Sequence, residues 1–253
     1  MTASPTRKSA SPIPALRPTP EEYHRGFVNG LKERFCLDPF EMYTILVEGH
    51  TDIAYLSRAA ELAEEICGEN LLAVPAYVLR ADENPRIRVR TPENPLTPGR
   101  GGTKEVGRLA RFLGTYVPIL ELTGKVFFAC DHDEAGRGCL KAITEAGFDT
   151  STHCLTLDPA KHPNACSKDD VVIEDLLSLT IQRRFFETGG CCGRVTYHAG
   201  EVVRYEWNDP SKSLLQRYVV EHAGWNDLME IGRVIARIRE VWGLPTNPVL
   251  FPR

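Results

Sequence analysis

The sequence predicts an α/β fold in which a parallel sheet is flanked by helices and followed by a mixed, mainly helical C-terminal extension. Two largely apolar runs, at residues 45–47 and 125–130, are bounded by polar residues, which is typical of strands buried on both faces. Helical stretches separate these runs, and such an alternation implies right-handed crossovers between parallel strands. With 42% hydrophobic and 25% charged residues among 253, the chain can bury a full core.

Periodicity, together with the residues that begin and end each segment, predicts the individual elements. In chain order these are a helix from Pro20 to about residue 35, a strand at 45–47, a helix that Thr51 or Asp52 caps and Gly68 ends, a strand at 71–79, a loop or weak hairpin at 82–102, a helix at 103–113, a strand at 125–130, a helix to Ala146 and a strand at 153–157. A helix at about 171–186, a hairpin at 195–207 and two further helices complete the chain. We therefore expect a leader and short helix at 1–40, a sheet domain at 41–157 and an extension at 158–253.

Composition excludes several classes of protein. The eight cysteines form no CxxC pair, a usage typical of reduced thiols, so we expect a cytoplasmic protein. Residues 1–20 lack the apolar core of a secretory signal, and no apolar run is long enough to cross a bilayer, so we expect no membrane partner. A zinc site is disfavoured, because the candidate ligands lack the tight spacing of paired ligands: His153, Cys154, His162, Cys166, Cys191, Cys192 and His198.

A net charge of −4 argues against a protein that coats nucleic acid, so any contact with nucleic acid must be local. One basic segment qualifies, between Arg80 and Arg111, where eight basic residues outnumber four acidic ones. Its candidate phosphate contacts are Arg86, Arg88, Arg90, Arg100 and Lys104. The alternative is a solvated loop and helix face, and the sequence leaves it open.

Acidic residues follow the two best strands, where the carboxyl ends of a parallel sheet gather functional groups. Glu48 and Asp52 come after the first strand, and Asp131 and Asp133 come after the later one. Crowded carboxylates repel one another, so they either take up protons or hold a cation, and Mg²⁺ and Mn²⁺ prefer oxygen ligands. Helix capping is the alternative role for Asp131 and Asp133.

The two motifs that contain these carboxylates are ILVEGHTD, at 45–52, and VFFACDHDEAGR, at 126–137. Their ordered pair resembles the signature of TOPRIM domains, which occur in topoisomerases, bacterial primases, recombination-repair proteins and the overcoming-lysogenization-defect (OLD) nucleases. The resemblance covers about residues 41–157. It implies a TOPRIM-type, Rossmann-like parallel sheet with Glu48, Asp131 and Asp133 as catalytic residues.

Two later motifs resemble elements of the OLD nucleases in particular. They are Ile173-Glu174-Asp175 and a lysine, Lys212, that opens a helix. The resemblance implies that the extension completes a nuclease site in which one or two Mg²⁺ or Mn²⁺ ions are bound by Glu48, Asp52, Asp131, Asp133 and Glu174. Lys212 would act as a further catalytic residue that neutralises charge on the phosphate. We expect DNA as the substrate, with RNA as an alternative.

Other functions stay open from the sequence. A non-catalytic TOPRIM-like module that binds nucleic acid or a partner would keep the fold, and a primase-like nucleotidyl transferase would keep the carboxylates. A glycosyltransferase can also use DxD, but that function leaves Glu48 without a role. Because OLD-like TOPRIM domains are usually coupled to an ATPase, and the run at 99–104 does not match GxxxxGK[ST], we expect a separate ATPase subunit, as in an antiviral defence complex. The apolar face of the first helix could dock on such a partner or cover the chain's own sheet.

Overall fold

The computed structural model describes residues 19–38, 40, 43–78, 86–97, 101–120 (backbone alone for 117–120), 126–157 and 170–251. The helices are α1 Pro20–Phe35, α2 His50–Cys67, α3 Thr103–Leu120, α4 Glu134–Glu145, α5 Thr150–His153, α6 Leu179–Glu187, α7 Asp209–His222 and α8 Trp225–Val241. The strands are β1 Thr44–Leu46, β2 Arg88–Arg90, β3 Val126–Cys130, β4 Cys154–Thr156, β5 Arg194–His198 and β6 Glu201–Glu206. None of the described helices combines the length and apolar character needed to cross a lipid bilayer.

Four strands form a parallel sheet in the order β2-β1-β3-β4, and β5 and β6 form a separate antiparallel hairpin. Helices lie on both faces of the parallel sheet, so the predicted α/β class and its flanked parallel sheet are confirmed. β1 pairs with β3 in the register Leu46 to Phe128, which brings the ends of these two strands side by side. The residues that follow β1 and β3 therefore meet at one edge of the sheet.

The side chains of each strand alternate between two hydrophobic clusters. Ile45 and Phe127 pack on one face with α2 and the C-terminal helices, whereas Leu46 and Phe128 pack on the other face with α1, α3 and α4. The strands are buried on both faces, which explains why their sequence is continuously apolar rather than alternating.

The apolar face of α1 covers the chain itself. Phe27, Leu31 and Phe35 are buried in the cluster that contains α3, and the rings of Phe27 and Phe112 stack with their centroids 6.1 Å apart. The sequence left two roles open for this face, docking on a partner or covering the chain's own sheet, and in the structure it covers the sheet. Those three side chains leave no apolar surface for a partner.

The C-terminal extension shares the core of the sheet domain instead of forming its own. α7 and α8 both pack on α2, and one hydrophobic cluster runs from Ile45 to Leu250. The fully buried Arg239 of α8 links distant segments, because its guanidinium donates hydrogen bonds to the carbonyl oxygens of Leu71 (2.8 Å), Ala73 (2.6 Å) and Pro245. The elements that carry Glu174 and Lys212 are held by packing, since the 3₁₀ turn contacts α8 and α7 contacts α2.

The structure differs from the predicted elements in several places, and α3 runs to Leu120 where the prediction ended at 113. Residues 71–78 form turns and one isolated bridge, and the strand is Arg88–Arg90, within the stretch predicted as a loop or weak hairpin. The helix predicted at 171–186 is split into a 3₁₀ turn, Ile173–Leu176, and α6, because the Ser178 side chain caps a new helix start. α2 begins one turn earlier than predicted, with Gly49 as N-cap, and it ends at Gly68 as predicted.

Candidate functional site

Glu48 and Asp131 lie side by side where β1 and β3 end. The backbone N–H of Asp131 donates a hydrogen bond of 3.1 Å to Oε1 of Glu48. β1 and β3 are neighbouring parallel strands that end at the same level of the sheet. This arrangement produces the contact, which joins two residues 83 positions apart in sequence. The predicted meeting of the two strand-end carboxylates is therefore present in the fold.

Asp52 joins them from the first turn of α2. Its Oδ2 accepts a hydrogen bond of 2.9 Å from the N–H of Gly49, the residue that caps the helix. This hydrogen bond, which is half of a capping box because Gly49 has no side chain, fixes the carboxylate between the end of β1 and the helix, close to Glu48. A negative charge in the first turn also interacts favourably with the helix dipole, so Asp52 can stabilise α2 in addition to any functional role.

Glu174 and Lys212 arrive from the C-terminal extension. The N–H of Ile173 donates to Oδ1 of Asp131 (3.0 Å), which docks the 3₁₀ turn on the end of β3. Glu174 is 3% exposed, and its Oε2 lies 3.2 Å from Nζ of Lys212, which α7 presents. The extension thus adds a buried carboxylate and a cation to the strand-end acids.

These five residues line one open cavity of about 1060 Å³. The wall opposite the carboxylates is the start of α3, where Gly101, Gly102 and Thr103 lie. A side chain at Gly101 would collide with the carbonyl oxygen of Glu48, at 2.6 Å, and with the hydroxyl of Thr91. The α3 backbone therefore approaches the acidic residues as closely as only glycine allows.

Burial and mutual repulsion keep these carboxyls protonated to unusually high pH. Burial, with the neighbouring Asp52 and Asp133, raises the pKa of Glu48 to about 7, and burial together with Glu174 raises that of Asp52 to about 7. Burial, with the neighbouring Asp52, Glu48 and Glu174, raises the pKa of Asp131, and burial raises that of Glu174. Burial alone would lower the pKa of Lys212, but the adjacent Glu174 raises it above its usual value, so Lys212 stays charged.

A pH dependence of stability follows from these shifts. Folded Glu48 and Asp52 hold their protons up to about pH 7, whereas their unperturbed pKa values are 4.5 and 3.8, so between these values the unfolded chain binds fewer protons. The free energy of unfolding of metal-free protein should therefore fall by several kcal/mol as the pH rises from about 4 to about 7.

Urea unfolding in chelator at pH 5 and pH 7.5 measures this loss. The variants E48Q and D52N provide the control, because an amide cannot titrate and each variant should lose less stability over the same interval. A wild-type loss no greater than the loss in both variants would contradict the assigned shifts.

Asp133 has the capping role that the sequence left open. Its Oδ1 accepts a hydrogen bond of 2.7 Å from Gly136 N–H at the start of α4. It is not among the described residues that line the cavity, although its charge acts on Glu48. Its assignment as a metal ligand and catalytic residue stays a prediction.

The basic segment is divided between two places. Arg88 and Arg90 are the end residues of the edge strand β2, and Arg90 pairs in register with Leu46, close to the start of the cavity. Arg86 lies at the opposite end, bridged to Ala73, and Lys104 is exposed in the first turn of α3 beside the cavity wall. Arg100 lies outside the described residues. Contact of these side chains with nucleic acid stays a prediction.

Tyr55 of α2 lies near the site, although it was not among the site residues predicted from the sequence. It is fully buried, and its hydroxyl has no hydrogen-bond partner among the residues that the structure describes. Burial, then Glu174 and Asp52, raise its pKa well above the usual value. A tyrosine at a helical core position gives no sequence signal that distinguishes it from packing, so only the fold reveals this donor behind the carboxylates.

The donor set has the chemistry of a site for a hard divalent cation, since it consists of carboxylate oxygens alone. Oε2 of Glu174 is buried with no hydrogen-bond partner in the described part of the chain, and Lys212 is its neighbouring charge. In that same part, no three Asp, Glu, His or Cys side chains stand in an arrangement that would already hold a metal ion. Glu48, Asp52 and Asp131 each accept one backbone N–H, which leaves further acceptor sites on each carboxylate for an ion.

Comparison with protein-family profiles, with curated proteins and with solved structures finds no match to this chain. The function is therefore inferred from the residues of the site itself.

Proposed function

We propose that this chain is a divalent-metal-dependent nuclease that cleaves phosphodiester bonds of DNA, built on a TOPRIM-type sheet. The single observation that carries the proposal is the meeting of Glu48, Asp52, Asp131 and Glu174 with Lys212 around one cavity. These residues come from four separate segments of the chain, and nothing in core packing requires that so many charges share one place. The motif pair that resembles the TOPRIM signature and the pair that resembles OLD nucleases both contribute residues to the cluster.

Electrostatics supports the same conclusion. Four carboxyls with raised pKa values at one cavity are costly to the apo protein, and a bound cation is the usual compensation for such crowding. A binding module without metal chemistry gains nothing from this repulsion. Their donor chemistry favours Mg²⁺ or Mn²⁺.

In this proposal the metal is held by five carboxylates: Glu48, Asp52, Asp131, Asp133 and Glu174. When bound, divalent ions at such a site lower the pKa of an attacking water and stabilise the leaving oxygen. Lys212 neutralises charge that develops on the phosphate, because its ammonium already faces the cavity and stays protonated. The glycines at the start of α3 let the substrate backbone come close to these groups.

The direct test is a cleavage assay on plasmid, linear and single-stranded DNA and on RNA. We expect cleavage with Mg²⁺ or Mn²⁺ and none in chelator, with activity restored when the metal is added back. Cleavage that persists in chelator would contradict the metal mechanism. Metal binding without cleavage of any substrate would instead support the non-catalytic module.

A further inference from the structure

A second cavity, which we call the C-terminal cavity, lies beside the end of α8. It shares no lining residue with the carboxylate cavity, and its volume of about 690 Å³ falls within the range of small-molecule sites. One wall is a face of α8 and the other is the chain that follows this helix. Its lining includes Tyr77, Arg233, Arg237, Glu240, Pro245 and Phe251.

One of the two arginines lacks a charged partner in the described part of the chain, and the other is ion-paired. Nη1 of Arg237 is buried without a hydrogen-bond partner, and no acidic side chain in the described part of the chain forms an ion pair with Arg237. Nε of Arg233 is also buried without a hydrogen bond, and its nearest charge is Glu230 Oε1, at 3.4 Å. Both arginines line the cavity, so an anion bound there would lie beside two guanidinium groups.

The same cavity offers flat apolar surface beside these donors. The ring of Phe251 lies under the Arg233 guanidinium, with 5.8 Å between the Cζ atom and the ring centroid. Tyr77 is 79% exposed, so its ring is accessible to a ligand in the cavity. Two rings and Pro245 next to paired arginines match a ligand that carries both a planar group and an anionic group.

The walls are held in place before any ligand binds. Arg239 lies two residues after Arg237 on α8. It donates hydrogen bonds to Leu71 and Ala73 on one side and to Pro245 on the other. This buried guanidinium therefore connects the segment before Tyr77 to the chain that follows α8. A preformed cavity binds a ligand with less loss of conformational entropy than a mobile one.

We propose that the C-terminal cavity binds a small phosphorylated ligand with a planar ring, such as a nucleoside monophosphate. Arg237 and Arg233 hold the phosphate, and Tyr77 and Phe251 contact the ring. Because the cavity is separate from the carboxylates, this binding does not depend on the nuclease proposal.

The test is calorimetric titration of the full chain in chelator with adenosine monophosphate, adenosine and inorganic phosphate as probes. We expect the monophosphate to bind measurably tighter than either half. R237A should weaken its binding at least about tenfold, since an ionised hydrogen bond is lost. Y77A, which changes an exposed side chain and therefore leaves folding intact, should also weaken it.

Two controls locate the binding. R183A removes an exposed arginine of α6 and should leave the affinity unchanged, as should E48Q in the carboxylate cavity. No binding of the monophosphate, equal binding of adenosine, or an affinity that survives both R237A and Y77A would overturn the proposal. An affinity lost in E48Q but not in Y77A would overturn it as well, by placing the ligand at the carboxylates.

Discussion

E48Q and D131N should each lower metal-dependent cleavage at least about a thousandfold while the protein stays folded. Both amides keep the oxygen that accepts a backbone N–H, from Asp131 in one case and Ile173 in the other, so the local hydrogen bonds survive. Neither amide carries the negative charge that a divalent ion needs. Without metal, the melting temperature of each variant should equal or exceed that of the wild type, because one repelling carboxylate is gone.

Cleavage rates and metal-free thermal unfolding measured on the same preparations test this pair of effects. The matched control is E61Q, which changes an exposed glutamate of α2 and should alter neither quantity. Full activity in D131N, or unfolding of either variant, would show that these carboxylates serve the structure and not the chemistry.

K212M should lower the cleavage rate about 10²–10³-fold, the usual effect of removing one group that stabilises transition-state charge. It should also destabilise the protein, because Glu174 is 3% exposed and would lose the ammonium at 3.2 Å. We expect a loss of about 2 kcal/mol at pH 8, discounted because Lys212 itself is partly exposed. The loss should become smaller as the pH falls, because burial raises the pKa of Glu174 and favours its protonated form.

The double variant K212M/E174Q separates the two effects of Lys212. Removing the stranded carboxylate should restore most of the stability at pH 8 without restoring activity. The control K141M removes an exposed lysine of α4 and should keep both activity and stability. A K212M protein that is destabilised but cleaves at the wild-type rate would assign Lys212 a structural role alone.

The parts of this site that could be predicted are those encoded by short local patterns. A buried parallel strand needs a continuous apolar run, so residues 45–47 and 125–130 mark the sheet, and the acids that follow them mark its functional edge. Ile173-Glu174-Asp175 and Lys212 were predicted from resemblance, and the fold brings Glu174 and Lys212 to the cavity.

The parts that could not be predicted depend on tertiary contacts. β2 has only three residues, and two of them are arginines, so its strand conformation comes from pairing with β1 and not from its own pattern. The hydroxyl of Tyr55 and the close approach of Gly101 to Glu48 exist only once α2 and α3 are packed. The sequence left helix capping open for both Asp131 and Asp133, and only the hydrogen bond to Gly136 assigns it to Asp133.

Titration with Mn²⁺, followed by electron paramagnetic resonance, measures directly whether the carboxylates of this cavity bind a divalent ion. We expect saturable binding of at least one ion per chain, weakened at least about tenfold in D131N and unchanged in E61Q. Absence of saturable binding in the wild type, or equal binding in wild type and D131N, would contradict the account.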